Sequence, residues 1–255
     1  MAGVDLSKIA VREAPRPKPK RFYKTATVGP SGHGGPPYRV LLDGKPVLTP
    51  AKKTLETDNR ALAENIAIEW DAQVSHIDPE TMPLTRLLST LIDRVGPDRA
   101  AIIAELLKFV DADLLCYRAA HPADLVHRQT MVWQPVLDWV DAMCGAAHVT
   151  VTGILPREQP PEVHRAMRAA IESLTAPALT AFQAAAGLTS SLVLSLALVR
   201  GRLSAEEVFA AAVLDETYQM ERWGDDAEAA ARRAHISNDL KGIGRFIALT
   251  KGAST

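Results

Sequence analysis

Residues 38–74 read YRVLLDGKPVLTPAKKTLETDNRALAENIAIEWDAQV, and a change of period inside this stretch decides the fold. Its first part is two apolar runs joined by Asp43-Gly44, the dipeptide that favours a tight hairpin turn. Lys52–Thr57, KKTLET, offers a further strand. From Asp58 the spacing lengthens. Asp58 is placed to N-cap a helix whose Leu62, Ile66, Trp70 and Val74 recur every four residues. Strand-like pairing therefore gives way to helix within one segment.

The pattern extends in both directions. Upstream, RFYKTATV (Arg21–Val28) reads as another strand. The loop GPSGHGGPP (Gly29–Pro37) is rich in glycine, but it lacks the GK[ST] of a phosphate loop and opens no helix. Downstream, Pro83 starts a helix with Leu84, Leu87, Leu88, Leu91, Ile92 and Val95 in one stripe. Pro97 starts the next, carrying Ile102, Ile103, Leu106, Leu107 and Val110. DADLLCYRA reads as a turn or short extended piece. Pro122 opens a helix that Pro135 must kink or divide, and ILPREQPP is a linker. Further helices follow from about Pro161, Pro177 and Ser204. Ser204 and Glu207 form an S-x-x-E capping box, the helix ends near Gly224, and Asp225 begins a terminal helix. The expected fold is α+β: a disordered basic tail (1–20), a small antiparallel β domain (21–57) and a larger helical domain (58–255) with five to eight helices.

Charge and cysteine usage narrow the function. The 255 residues carry a net charge of -1, but seven Lys/Arg against two acids in the first 24 residues leave about -6 on the remainder. No folded basic face interleaved with aromatics exists beyond that tail, which argues against nucleic acid. Cys116 and Cys144 suggest neither a disulfide framework nor a zinc site. The longest apolar run, Leu188–Val199, is too short to span a bilayer and reads as a buried helix. A monomer in the bacterial cytosol is expected, or in the mitochondrial matrix if the source is eukaryotic.

Candidate chemistry is sparse. His76, Asp78 and Glu80 lie at i, i+2 and i+4 in SHIDPETMPLTRLLSTLIDR (Ser75–Arg94), a spacing that converges on a strand but not in a Pro-rich turn between helices. Turn and cap hydrogen bonds are the expected roles, and no metal is expected. His121, His127 and His148 are scattered, with no HExxH and no GxSxG. Glu69 and Asp71 point apart on a helix, Cys116 reads as a core thiol, and the hydroxyls of Thr189–Ser191 are expected to bond back to the helix backbone. The competing enzyme reading is a metal- or carboxylate-dependent hydrolase using the Glu69–Glu80 region. Trp70, in AIEWDAQ, is expected in the core. Trp223, in YQMERWGDD, is equally compatible with core closure and with an interface, where Trp and Arg are over-represented.

RFYKTATV, YRVLLDGKPVLTPAKKTL, LAENIAIEWDAQ, IDPETMPLTRLLSTLIDR, DLLCYRA, WQPVLDW and YQMERWGDD occur in that order across nearly the whole chain. Together they resemble the ATP synthase assembly factor two family, chaperones of mitochondria and α-proteobacteria that bind the free α subunit of the ATP synthase catalytic head. The resemblance implies a β domain followed by a helical domain, no catalytic residue, no cofactor, and the α subunit as partner. It implies a structural brace at Trp70, Asp78, Thr81 and Pro83. It also implies functional acids near the C-terminal Trp-Gly, here Glu216, Glu221 and Glu228, with Arg222 and Trp223 beside them in the partner-binding set.

Overall fold

The computed structural model describes residues 18–31, 36–153 and 155–251. The expected basic tail up to residue 17 and the middle of the Gly-rich loop lie outside the described residues. Backbone contacts group the described chain into two compact units. The first comprises 18–99, 176–181 and 245–251; the second comprises 100–153, 155–175 and 182–244. The boundary thus falls well past residue 57. Residues 18–20 are held in place: Pro19 O accepts the Ile77 amide at 2.8 Å, and Lys20 bridges His76.

The first unit holds an antiparallel sheet of β1 (Ala26–Pro30), β2 (Tyr38–Leu42), β3 (Lys45–Pro46) and β4 (Glu56–Thr57). The order is β1-β2-β3, with β4 also paired to β2. Val28 stands opposite Val40 and Ala26 opposite Leu42. Asp43 and Gly44 turn the β2–β3 hairpin with φ of 46° and 80°, the left-handed pair that a primed turn needs. Helix α1 (Arg60–Asp71) packs on this sheet and buries Leu62, Ala63 and Ile66. Its cap is Asn59, one residue later than expected. The Asn59 carboxamide accepts the Leu62 amide at 2.9 Å and donates to Leu249 O at 2.6 Å, a second bond that places Asn rather than Asp at the cap. Val74 falls beyond the helix and is exposed.

Helix α2 (Pro83–Thr90) runs through a π-turn, Leu91–Val95, into α3 (Gly96–Leu107). The expected start at Pro97 is met by a kink: Asp98, at φ -116° and ψ 27°, leaves helical geometry and separates the helix that follows from the turn before it. The wide turn lets Gly96 N–H bond Leu91 O, and the departure from helical geometry is confined to Asp98. Proline removes a donor, and the kink falls directly beside it.

In the second unit, short 3₁₀ turns lead to β5 (Tyr117–Arg118), which pairs in parallel with β6 (Val151–Thr152). Helix α4 (Ala123–Cys144) is one helix of 22 residues; Pro135 does not divide it. It is followed by α5 (Pro161–Glu172), α6 (Ala176–Thr189), α7 (Leu192–Arg200), α8 (Ala205–Ala212), α9 (Leu214–Trp223) and α10 (Ala227–Lys251), of which α6 up to Ala181 and α10 from Arg245 belong to the first unit. Leu192–Val199 is buried on every face, as an all-apolar helix must be. The Ser204–Glu207 capping box forms, yet the helix it opens breaks at Val213 into α8 and α9. Asp226, not Asp225, caps α10 by accepting the Glu228 and Ala229 amides at 2.9 Å. No described helix is long and apolar enough to cross a membrane.

Candidate functional site

The stretch from Glu69 to Thr85 is a closed hydrogen-bond circuit. Glu69 is buried, and its carboxylate accepts the amides of Leu84 and Thr85 and the Thr85 hydroxyl, each at 2.8 Å. These are donors of the first turn of α2, which has no partner of its own there. Burial pushes the Glu69 carboxyl above its usual range, and the three donors pull it back only in part. Gln73, also buried, takes the Asp78 amide at 2.7 Å and donates to Glu69 O and the Thr81 hydroxyl. Asp78 caps the 3₁₀ turn Pro79–Thr81, and Lys18 pairs with it at 2.7 Å; both keep its carboxyl below the usual range. Pro83 stands at the first turn of α2. Trp70 is half-buried, edge-on to Tyr23 with ring centroids 5.7 Å apart. His76 shares a hydrogen bond with the Ser75 hydroxyl at 3.1 Å, and among the described residues no three His, Cys, Asp or Glu side chains converge as a metal site would require.

The second cluster forms where α9 runs against the start of α4. Trp223, the last residue of α9, is 76% exposed, because Gly224 turns the chain away at φ 87°. Charged pairs form just before it on α9. Glu221 meets Arg128 of α4 at 2.6 Å, and Arg222 meets Asp124. Both guanidinium groups lie over the buried Tyr218 ring, at 5.3 and 4.7 Å from its centre, while its hydroxyl donates to Asp124 at 2.8 Å. The Tyr218 hydroxyl and then Arg222 hold the Asp124 carboxyl below its ordinary value. Glu216 pairs with Arg232 of α10, and Asp225 with Arg233. Glu228 stands exposed in the first turn of α10.

Glu221, Arg222 and Trp223 therefore sit together at one helix end, with Glu216 further back on α9 and Glu228 on α10. Sequence reasoning missed Asp124, Arg128, Tyr218 and Arg232, which hold the charges in place. Only the acid just after Pro122, in a helix's first turn, gave a local signal. The surface has an apolar extension on α4, where Met131 is 63% and Val132 39% exposed. Among the described residues the candidate nucleophiles of the sequence are held in structural roles. Burial raises the Cys116 thiol far above its usual value, so it stays protonated. Thr189 bonds back to Ala185 O at 2.9 Å.

Comparison with known proteins adds the family. The family model described as ATP12 chaperone protein matches residues 20–141. The structure is similar to Atp12 of Paracoccus denitrificans, with 38% identity, TM-score 0.81, and 91% of this chain and 98% of the other covered. It is also similar to a chaperone candidate of Agrobacterium tumefaciens, with 41% identity, TM-score 0.84, and 96% and 95% covered. Mitochondrial protein atp12 of Schizosaccharomyces pombe is 28% identical over 228 residues, spanning 84% of this chain and 77% of its own length.

Proposed function

The chain belongs to the ATP12 chaperone family, and from that premise we propose that it binds the free α subunit of the ATP synthase catalytic head, covers its subunit interface and releases it to the β subunit during assembly. The observation that carries this reading is Trp223: a large aromatic left 76% in solvent at a helix end, directly after the ion-paired Glu221 and Arg222. Exposed aromatics framed by charge are what a protein-binding hot spot consists of. A free α subunit exposes the surface that it later buries against β, and such a surface invites aggregation. Covering it keeps the subunit soluble by mass action, and β displaces the chaperone by competing for the same face.

In this reading the protein works as a monomer, catalyses nothing and needs no cofactor. It acts where ATP synthase is built, in the bacterial cytosol or the mitochondrial matrix. Glu216, Glu221 and Arg222 supply a fixed charge pattern, Trp223 the apolar anchor, and Glu228 an acid free to meet a basic group on the client.

The test is titration of the purified α subunit against the unmodified protein and two variants, Trp223→Ala and Glu228→Lys. Both side chains are exposed, so thermal stability should be unchanged. Truncating a hot-spot Trp costs about 2 kcal/mol, which weakens binding roughly 30-fold. Normal affinity in both variants would move the binding site elsewhere. Absence of binding by the unmodified protein would overturn the α-subunit reading itself.

A further inference from the structure

Strand β1 is an edge of its sheet, and its backbone is half used. Asp43 N donates to Thr25 O and Ser31 N donates to Pro37 O, each at 3.0 Å. Between them Thr27 faces Leu41 and Gly29 faces Arg39. An antiparallel ladder alternates, so the odd-numbered positions bond to β2 and the even-numbered ones turn outward. Ala26 and Val28 each present an N–H and a C=O to the free side, and Pro30 presents a C=O. Among the described residues no strand pairs there.

This edge opens on a groove of about 770 Å³ between β1 and α1. Ala67 and Ile68 give it an apolar wall, and Ile68 is 60% exposed. Arg60 and Glu64, paired at 2.8 Å, continue the same α1 stripe as its polar end. An extended edge left open is a template for another chain, and natural proteins usually blunt it. Here Pro30 blunts one end only. The five residues of β1 offer about 17 Å of template.

We infer that the open edge of β1, facing Ala67 and Ile68 across this groove, captures an extended, strand-forming segment of the client by β-strand addition. The inference rests on the chaperone reading above and deepens it. The occupant is set by two features. Alternating unpaired N–H and C=O groups require an extended backbone, which a helix cannot supply because its own groups are already bonded. The α1 stripe, polar at Arg60–Glu64 and apolar at Ala67–Ile68, requires a segment that sets an apolar side chain against Ile68 and a polar one against the Arg60–Glu64 pair. A chain awaiting its partner subunits exposes such segments.

Val28 provides the test. Its N–H points outward, so Val28→Pro removes a donor for the captured strand without removing one from the β1–β2 ladder, and proline is tolerated on such an edge. The variant should keep its thermal midpoint and bind the purified ATP synthase α subunit about tenfold more weakly, as loss of a backbone bond and steric exclusion at the edge require. Hydrogen exchange on the unmodified protein supplies the second measurement. The Val28 amide should exchange freely alone and at least about tenfold more slowly when saturated with α subunit. A complex that forms while Val28 exchanges as before, or that Val28→Pro leaves intact, overturns the strand-addition inference and leaves the client reading standing. Protection of Val28 without any client, accompanied by a dimer, would assign the edge to a second copy and overturn the inference as well. Failure of the unmodified protein to bind the α subunit would overturn both.

Discussion

Glu69 shows how much one side chain settles. In the sequence it is an acid beside a tryptophan, poorly placed to act with Asp71 as an acid–base pair and with no structural partner in view. In the fold its two oxygens are taken by the backbone of Leu84 and Thr85 and by the Thr85 hydroxyl. Glu69→Ala leaves two buried amides without acceptors and should destabilise the protein by about 2 kcal/mol in chemical denaturation. A variant as stable as the parent would show that water satisfies those amides equally well. Asp124 makes a prediction in pH. Its folded carboxyl titrates below the ordinary value near 3.9, because the Tyr218 hydroxyl and Arg222 favour the charged form. The folded state therefore binds fewer protons than the unfolded one in acid. The stabilisation is present above about pH 4 and lost as pH falls through the folded value. Thermal midpoints of the parent and of Asp124→Asn should differ at pH 6 and converge toward pH 2. A gap that stays constant would mean that the shift is absent. None of these partners was visible in the sequence, since Tyr218 lies 94 residues from Asp124.

Among the elements, the best-read features were those whose signals are local. The Asp43-Gly44 turn, the Ser204–Glu207 box and the buried run of α7 each declare themselves within a few residues, because turn chemistry, capping and periodicity act at short range. Boundaries that depend on neighbours moved. The α1 cap went to Asn59 because Leu249 O offers it a second bond, and the helix after Pro97 is joined to α2 through a π-turn and a kink at Asp98. The start of α7 depends on a residue that sequence reasoning passed over. Asp113 is fully buried, and it accepts the Leu115 amide, the Ser191 hydroxyl and the Val193 amide at 3.0, 2.8 and 2.9 Å. It ties the 3₁₀ turn Leu114–Cys116 to the first turn of α7, and burial raises its carboxyl above the usual range despite those donors. Asp113→Ala strands three buried donors and should cost about 3 kcal/mol, read from the denaturant midpoint at constant m-value. A loss under about 0.5 kcal/mol would contradict this role.

For the whole molecule, charge distribution matters more than net charge. The excess of acids beyond Lys24 gives the body about -6. Association with a basic client face should then slow as salt rises, since steering acts over a Debye length of about 10 Å at 0.1 M. Stopped-flow rates with the α subunit between about 50 and 500 mM salt should fall while dissociation changes little; a flat association rate would exclude steering. The sequence by itself determined the α+β class, the order of the elements, the hairpin and the family, because alternation, helical period and caps are written in adjacent residues and the family motifs recur in order. Only the tertiary structure decided that Glu69 and Asp113 are caps, that Trp223 stands in solvent after the ion-paired Glu221 and Arg222, and that among the described residues β1 keeps an open edge beside α1. Those outcomes depend on groups far apart in the chain, and no local pattern records which of them packing brings together.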